Sequence, residues 1–106
     1  MPSRTEYIVG ETWLFDIGVA IIEQRYDSIS SMHYRVASGP RIGMEETVAI
    51  EVQLIRPGVF LVSWQEADGI TVVHVEDFDE NSFYSHATMP GGQFNRVHGK
   101  MRRRDD

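Results

Sequence analysis

The sequence predicts an all-β fold, a small antiparallel up-and-down barrel of about eight strands, and three observations carry that prediction. Short segments rich in β-branched and aromatic residues recur along the whole chain. Pro-Gly, Asp-Gly and Gly-Gly turns separate them at near-regular spacing, which is the pattern of a sandwich or barrel. The chain also has only 106 residues, the size of one domain. Eight antiparallel strands leave open edges unless the sheet closes. A closed eight-strand barrel removes them and leaves an interior wide enough for side chains or one small ligand.

The elements follow in order. Residues 12–16, 20–26 and 31–36 read as the first three strands. Helix competes for 19–26, because Ile21, Ile22 and Tyr26 partly fit a 3.6-residue period, but Gly18 and Val19 offer no helix cap. The stretch 38–44, Ser-Gly-Pro-Arg-Ile-Gly-Met, is the longest irregular segment and reads as a bend or lip. It lacks the spacing of a phosphate-binding loop. Residues 48–55, 59–66 and 70–77 form the clearest block: three strands joined by Arg56-Pro57-Gly58 and Ala67-Asp68-Gly69. Asp-Gly suits the positive-φ positions of a tight hairpin. Residues 82–88 and 93–101 complete the set, with Met89-Pro90-Gly91-Gly92 between them. The expected domain is 1–106, with a core over about 9–103 and a charged C-terminal tail over 102–106, where Arg102 to Arg104 read as a solvated terminus.

Composition narrows the function. Ten basic against sixteen acidic residues give a net charge of −6, which opposes the positive field that general nucleic-acid binding requires. There is no cysteine, so disulfides, thiolate metal sites and cysteine nucleophiles are ruled out. No apolar run approaches the length needed to span a bilayer as a helix, and Met1 to Glu6 are not followed by the apolar core of a signal peptide. A cytoplasmic protein is the expectation. Homodimerisation is an option for so small a barrel.

Alternation sorts the strand side chains into two faces. On the fifth strand Phe60, Val62, Trp64 and Glu66 share a face that is apolar except for its last member. If Glu66 points inwards, burial raises its pKa and fits it for proton exchange near neutral pH. If it has already left the barrel, it faces water beside the Asp68-Gly69 turn. His33, His74, His86 and His98 fall on four different strands with no metal-binding spacing, so neither a metal nor another cofactor is expected. Ser63 has no nucleophile-elbow glycines around it. Trp13, Phe15, Tyr34, Trp64 and Tyr84 are candidate pocket or core aromatics, and His74 and His86 are candidate polar contacts.

The run Val62-Ser63-Trp64-Gln65-Glu66-Ala67-Asp68-Gly69-Ile70-Thr71-Val72 resembles the MoaF-like family. So do Glu76-Asp77-Phe78, Phe83 to Gly92, Gly99, and Tyr34-Arg35-Val36 with Ser38 to Gly43. The likeness covers roughly residues 9–103. It implies a lipocalin-like, calycin-type barrel. A more distant resemblance links Tyr34-Arg35-Val36, the lip, Gly58-Val59-Phe60, Ser63-Trp64-Gln65-Glu66 and Gly69 to phenolic acid decarboxylases. Those are cofactor-free barrels whose catalytic set is two tyrosines on the first strand, an arginine after the glycine-rich lip and a glutamate in a Ser-Trp-Thr-Glu phrase. Glu66 matches that glutamate. The first strand reads Trp13-Leu14-Phe15-Asp16-Ile17, without either tyrosine, and Met44 stands at the arginine's ungapped position, with Arg41 three residues away.

The expectation is therefore a small-molecule-binding barrel for an apolar or aromatic ligand. Trp13, Phe15, Tyr34, Trp64, Glu66, His74, Tyr84 and His86 are its candidate contacts. Glu66 is the polar handle, favouring a hydrogen-bond donor or a positive group on the ligand. The rival is a lyase or isomerase using Glu66 as general acid or base, with Tyr84 or His86 as its partner. A solid barrel that binds a partner through its outer face is the third option.

Overall fold

The computed structural model describes residues 9–104. Met1 to Glu6, read above for a targeting signal, lie outside the described residues, as do Asp105 and Asp106. Eight strands follow in chain order: β1 (Thr12–Asp16), β2 (Ile21–Ser28), β3 (Ser31–Ser38), β4 (Glu45–Arg56), β5 (Val59–Gln65), β6 (Thr71–Asp77), β7 (Ser82–Thr88) and β8 (Phe94–Arg103). Each pairs antiparallel with its neighbours in sequence, and β1 pairs with β8 to close the barrel. The closing seam sets Phe15 opposite Met101 and Asp16 opposite Lys100. Among the described residues no helix is long and apolar enough to cross a membrane.

The segment 19–26, for which helix competes in the sequence, is strand. Two residues keep it so: Gln24 and Tyr26 are both buried and lie two apart, a strand period rather than a helical one. The C-terminal boundary differs from the expected tail. Arg102 and Arg103 belong to β8 and pair with Leu14 and Trp13. Arg104 N donates to Thr12 O at 2.9 Å, and its guanidinium reaches Glu23 Oε1 at 2.9 Å. The reason is barrel closure: β1 has backbone groups to satisfy on its second edge, and only β8 is placed to meet them.

The two ends differ. The end that carries the β2–β3, β4–β5 and β6–β7 turns is filled by Tyr26, Met32, Phe60, Phe83 and Met101, all 3% exposed or less. Trp13 packs there edge-on to Phe78 at 4.9 Å, and Phe78 in turn meets Phe60 at 5.9 Å. The other end carries the β1–β2 turn, the 39–44 lip, the β5–β6 turn and the β7–β8 turn, and it is open. The lip sits against the β1–β2 turn at Gly39, whose φ of +104° is the left-handed conformation that glycine adopts freely. A Cβ there would lie 2.7 Å from Val19 O and 2.8 Å from the Ala20 Cβ.

Candidate functional site

A cavity of about 470 Å³ runs from the open end to the middle of the barrel, within the size range of small-molecule sites. Its walls come from the inward residues of six strands, β1, β2, β3, β5, β6 and β7, with Ile22, Val36, Val72 and Ala87 supplying apolar surface. Val19, Pro40, Arg41, Met44 and Met89 ring the mouth. Both lip residues compared above with the decarboxylase arginine, Arg41 and Met44, therefore border the opening.

Glu66 lies on the wall near the mouth, half-buried, just past the end of β5. The turn holds it: Glu66 N donates to Ile70 O at 2.8 Å, and Gly69 N donates to Glu66 O at 2.9 Å. Its carboxylate accepts from Trp64 Nε1 at 3.2 Å on one oxygen and from the Tyr34 hydroxyl at 3.3 Å on the other. The Tyr34 hydroxyl also lies 3.0 Å from Glu46 Oε1, and Glu46 Oε2 accepts from Ala67 N at 2.8 Å. Glu46 thus ties β4 to the β5–β6 turn. Desolvation raises the pKa of Glu66 above the ordinary glutamate value, reinforced by the negative charges of Asp68 and Glu46. The Trp64 and Tyr34 hydrogen bonds act the other way without cancelling it. Burial, with Glu66 and Glu46 alongside, also pushes the Tyr34 hydroxyl well up, so it stays a donor.

The floor is polar as well. His74 is 4% exposed and sits among three aromatic rings: Trp64 at 4.8 Å, Phe15 at 5.5 Å and Phe83 at 5.5 Å between centroids. Its Nδ1 lies 3.0 Å from Glu76 Oε2. Glu76 is fully buried beneath it. The Tyr26 hydroxyl lies 3.3 Å from both Glu76 oxygens and 2.7 Å from Gln24 Oε1. Gln24 and His74 line the cavity, whereas Tyr26 and Glu76 stand behind them.

Of the eight candidate contacts, Phe15, Tyr34, Trp64, Glu66 and His74 border this one cavity. Three do not. Trp13 is buried in the sealed end, where its Nε1 donates to Glu11 Oε1 at 2.9 Å. Tyr84 and His86 face outwards, because β7 turns Phe83, Ser85 and Ala87 into the barrel. Tyr84 is half-exposed and stacks on His98 at 4.1 Å, and His86 meets Phe94 at 5.5 Å. Neither is positioned to partner Glu66. His33 is also on the outer face, bound to Thr47 and Glu45. Among the described residues no three metal-ligating side chains converge.

Gln24, Tyr26, Glu46 and Glu76 are the polar residues that strand assignment alone overlooked. The signal was parity. Glu76 is in phase with Val72 and His74, Gln24 with Ile22 and Tyr26, and Glu46 with Val48 and Ile50.

A sequence profile of the MoaF-like family matches residues 9–102. Ten chains of known structure match. One is a provisionally assigned beta-lactamase from Burkholderia vietnamiensis, 27% identical, with a TM-score of 0.88 over 96% of this chain and 100% of that one. No curated protein gives a significant match.

Proposed function

The chain belongs to the MoaF-like family, and on that footing we propose that it binds a small apolar or aromatic molecule inside the barrel, with Glu66 as the polar handle. The observation that carries the proposal is the pairing of an apolar-walled cavity of about 470 Å³ with a carboxylate held at its rim by Trp64 and Tyr34. A barrel filled solid for stability would have neither. The raised proton affinity of Glu66 lets it accept a hydrogen bond when ionised and donate one when neutral. With Glu46 and Asp68 nearby, the mouth favours an amine or hydroxyl over a second carboxylate.

A second reading is a cofactor-free proton-transfer enzyme. It draws support from Glu66 and His74 standing on one cavity wall, each beside Trp64. The tyrosine pair of the decarboxylases has no counterpart on β1, so decarboxylation of a hydroxycinnamate is not part of it. Nor is lactam hydrolysis by a serine enzyme: the chain has one lysine, Lys100, and Val97 stands where a Ser-x-x-Lys pair needs serine.

The test is a thermal-shift screen of wild type and Glu66→Gln against aromatic amines, aromatic acids, terpenoids and pterins. A ligand that raises the midpoint of the wild type and loses its effect in the variant supports the binding role. Turnover of that ligand by the wild type, lost in Glu66→Gln while binding is retained, moves the enzyme reading ahead. Absence of any shift, with unchanged stability in the variant, removes Glu66 from the site.

A further inference from the structure

We infer that the cavity floor is a hydroxyl-recognition site, at which His74, oriented by Glu76, accepts a hydrogen bond from a phenol or alcohol group at the deep end of the ligand. The inference rests on the proposed binding role and adds the class of ligand. A carboxylate only accepts, so the 3.0 Å contact between His74 Nδ1 and Glu76 Oε2 places a proton on Nδ1. In the neutral imidazole the lone pair is then on Nε2, the nitrogen not engaged by Glu76. The ring cannot turn to exchange the two, because Trp64, Phe15 and Phe83 enclose it. Gln24 complements it. Its Oε1 accepts from Tyr26 at 2.7 Å, which leaves its amide N–H groups to the cavity it lines. One fixed acceptor and one donor match a hydroxyl, which donates and accepts together.

Placement argues for ligand recognition rather than for packing alone. Burying a carboxylate is costly, and an apolar side chain would fill the site more cheaply. Here a fully buried glutamate occupies the site with a tyrosine behind it, and the histidine it orients opens on the cavity. With Glu66 at the rim, the ligand class is an aromatic or alicyclic molecule bearing a hydroxyl at one end and an amine or a second hydroxyl at the other.

Three probes separate the two ends: tyramine, phenethylamine (no hydroxyl) and 4-ethylphenol (no amine). Titration calorimetry on wild type, Glu66→Gln and His74→Phe gives the affinities. Tyramine is expected to bind the wild type about tenfold tighter than phenethylamine. That ratio should fall to about one in His74→Phe and persist in Glu66→Gln. The tyramine to 4-ethylphenol ratio reports on Glu66 separately, so loss of the amine preference with the hydroxyl preference intact overturns the handle and leaves the floor standing. Equal binding of tyramine and phenethylamine by wild type, or a hydroxyl preference that survives His74→Phe, overturns the floor. Should His74→Phe not fold, the surface triple variant His33→Gln, His86→Gln, His98→Gln retains a single imidazole. Its Nε2 nitrogen resonance should shift with 4-ethylphenol and stay fixed with ethylbenzene. An unmoved resonance under saturating 4-ethylphenol overturns the proposal, and so does failure of every phenol to bind.

Discussion

The Trp64 indole meets the His74 imidazole edge to face, with centroids 4.8 Å apart and planes at 71°. The same indole donates through Nε1 to Glu66. One side chain therefore spaces the rim carboxylate from the floor imidazole and fixes both orientations. This arrangement follows from the strand period. Trp64 and Glu66 lie two apart at the end of β5, so both side chains turn inwards, and Trp64 sits opposite Val72 of β6, two residues before His74.

Trp64→Phe separates the two roles of the indole. Phenylalanine keeps an aromatic edge against His74 but removes the N–H donor. The hydrogen bond from Trp64 holds the Glu66 pKa down, so its loss should move the Glu66 titration further up, as followed by carboxyl-carbon NMR. The stability cost is about 1–2 kcal/mol, from lost buried area and one hydrogen bond. A Glu66 titration that stays in place would show that the contact at 3.2 Å carries no proton-affinity effect.

Stability should depend on pH through Glu66. Its pKa is higher in the folded barrel than in the unfolded chain, so across the interval between the two values the native state binds more protons. Stability therefore decreases as pH rises from the ordinary glutamate value to the raised one, and stays lower above it. Solvent screening at this half-buried rim keeps the change small. In Glu66→Gln this component disappears, and comparison of urea midpoints for the two proteins from pH 4 to pH 8 isolates it. Tyr34→Phe should enlarge the component, since the Tyr34 hydrogen bond also favours the ionised form.

Glu76 anchors the floor, and two substitutions rank its contributions. Glu76→Gln keeps an oxygen able to accept from His74 Nδ1 and should cost about 1 kcal/mol. Glu76→Ala leaves that donor without its partner and opens a void beneath it, so about 3–4 kcal/mol is expected. Denaturant unfolding monitored by tryptophan fluorescence checks the order. Equal losses would mean that Glu76 acts as filler and not as the orienting group for His74.

Much of the barrel is legible in the sequence because its signals are local. The Pro57-Gly58 and Asp68-Gly69 turns and the β-branched runs between them mark β4, β5 and β6 within a few residues. The parity of β7 is a different matter. Phe83 and Tyr84 are both aromatic, and nothing within the segment says which faces in. Register across the sheet decides it: Phe83 lies opposite Glu76 and Ser85 opposite His74, and directly opposed residues share a face. Tyr84 and His86 are therefore outside. The Tyr26–Gln24–Glu76–His74 network was hidden for a related reason. Tyr26 and Glu76 are 50 residues apart in sequence, and only closure of the barrel brings β2 across from β6.

The lip controls the mouth, and its two glycines test how. Gly39 and Gly43 both have positive φ, +104° and +93°. A Cβ at Gly43 meets open space, whereas one at Gly39 runs into Val19 O and the Ala20 Cβ. Gly43→Ala should therefore show backbone strain alone, about 1 kcal/mol. Gly39→Ala adds the collision with a carbonyl that cannot swing away, and a loss nearer 2–3 kcal/mol is expected. Relief of that collision means moving the lip off the β1–β2 turn, which widens the opening between Val19 and Arg41, two residues that border it. A bound probe such as 4-ethylphenol should then dissociate faster from Gly39→Ala than from Gly43→Ala at matched stability. Equal off-rates in stopped-flow displacement would mean that the ligand leaves by a route the lip does not gate.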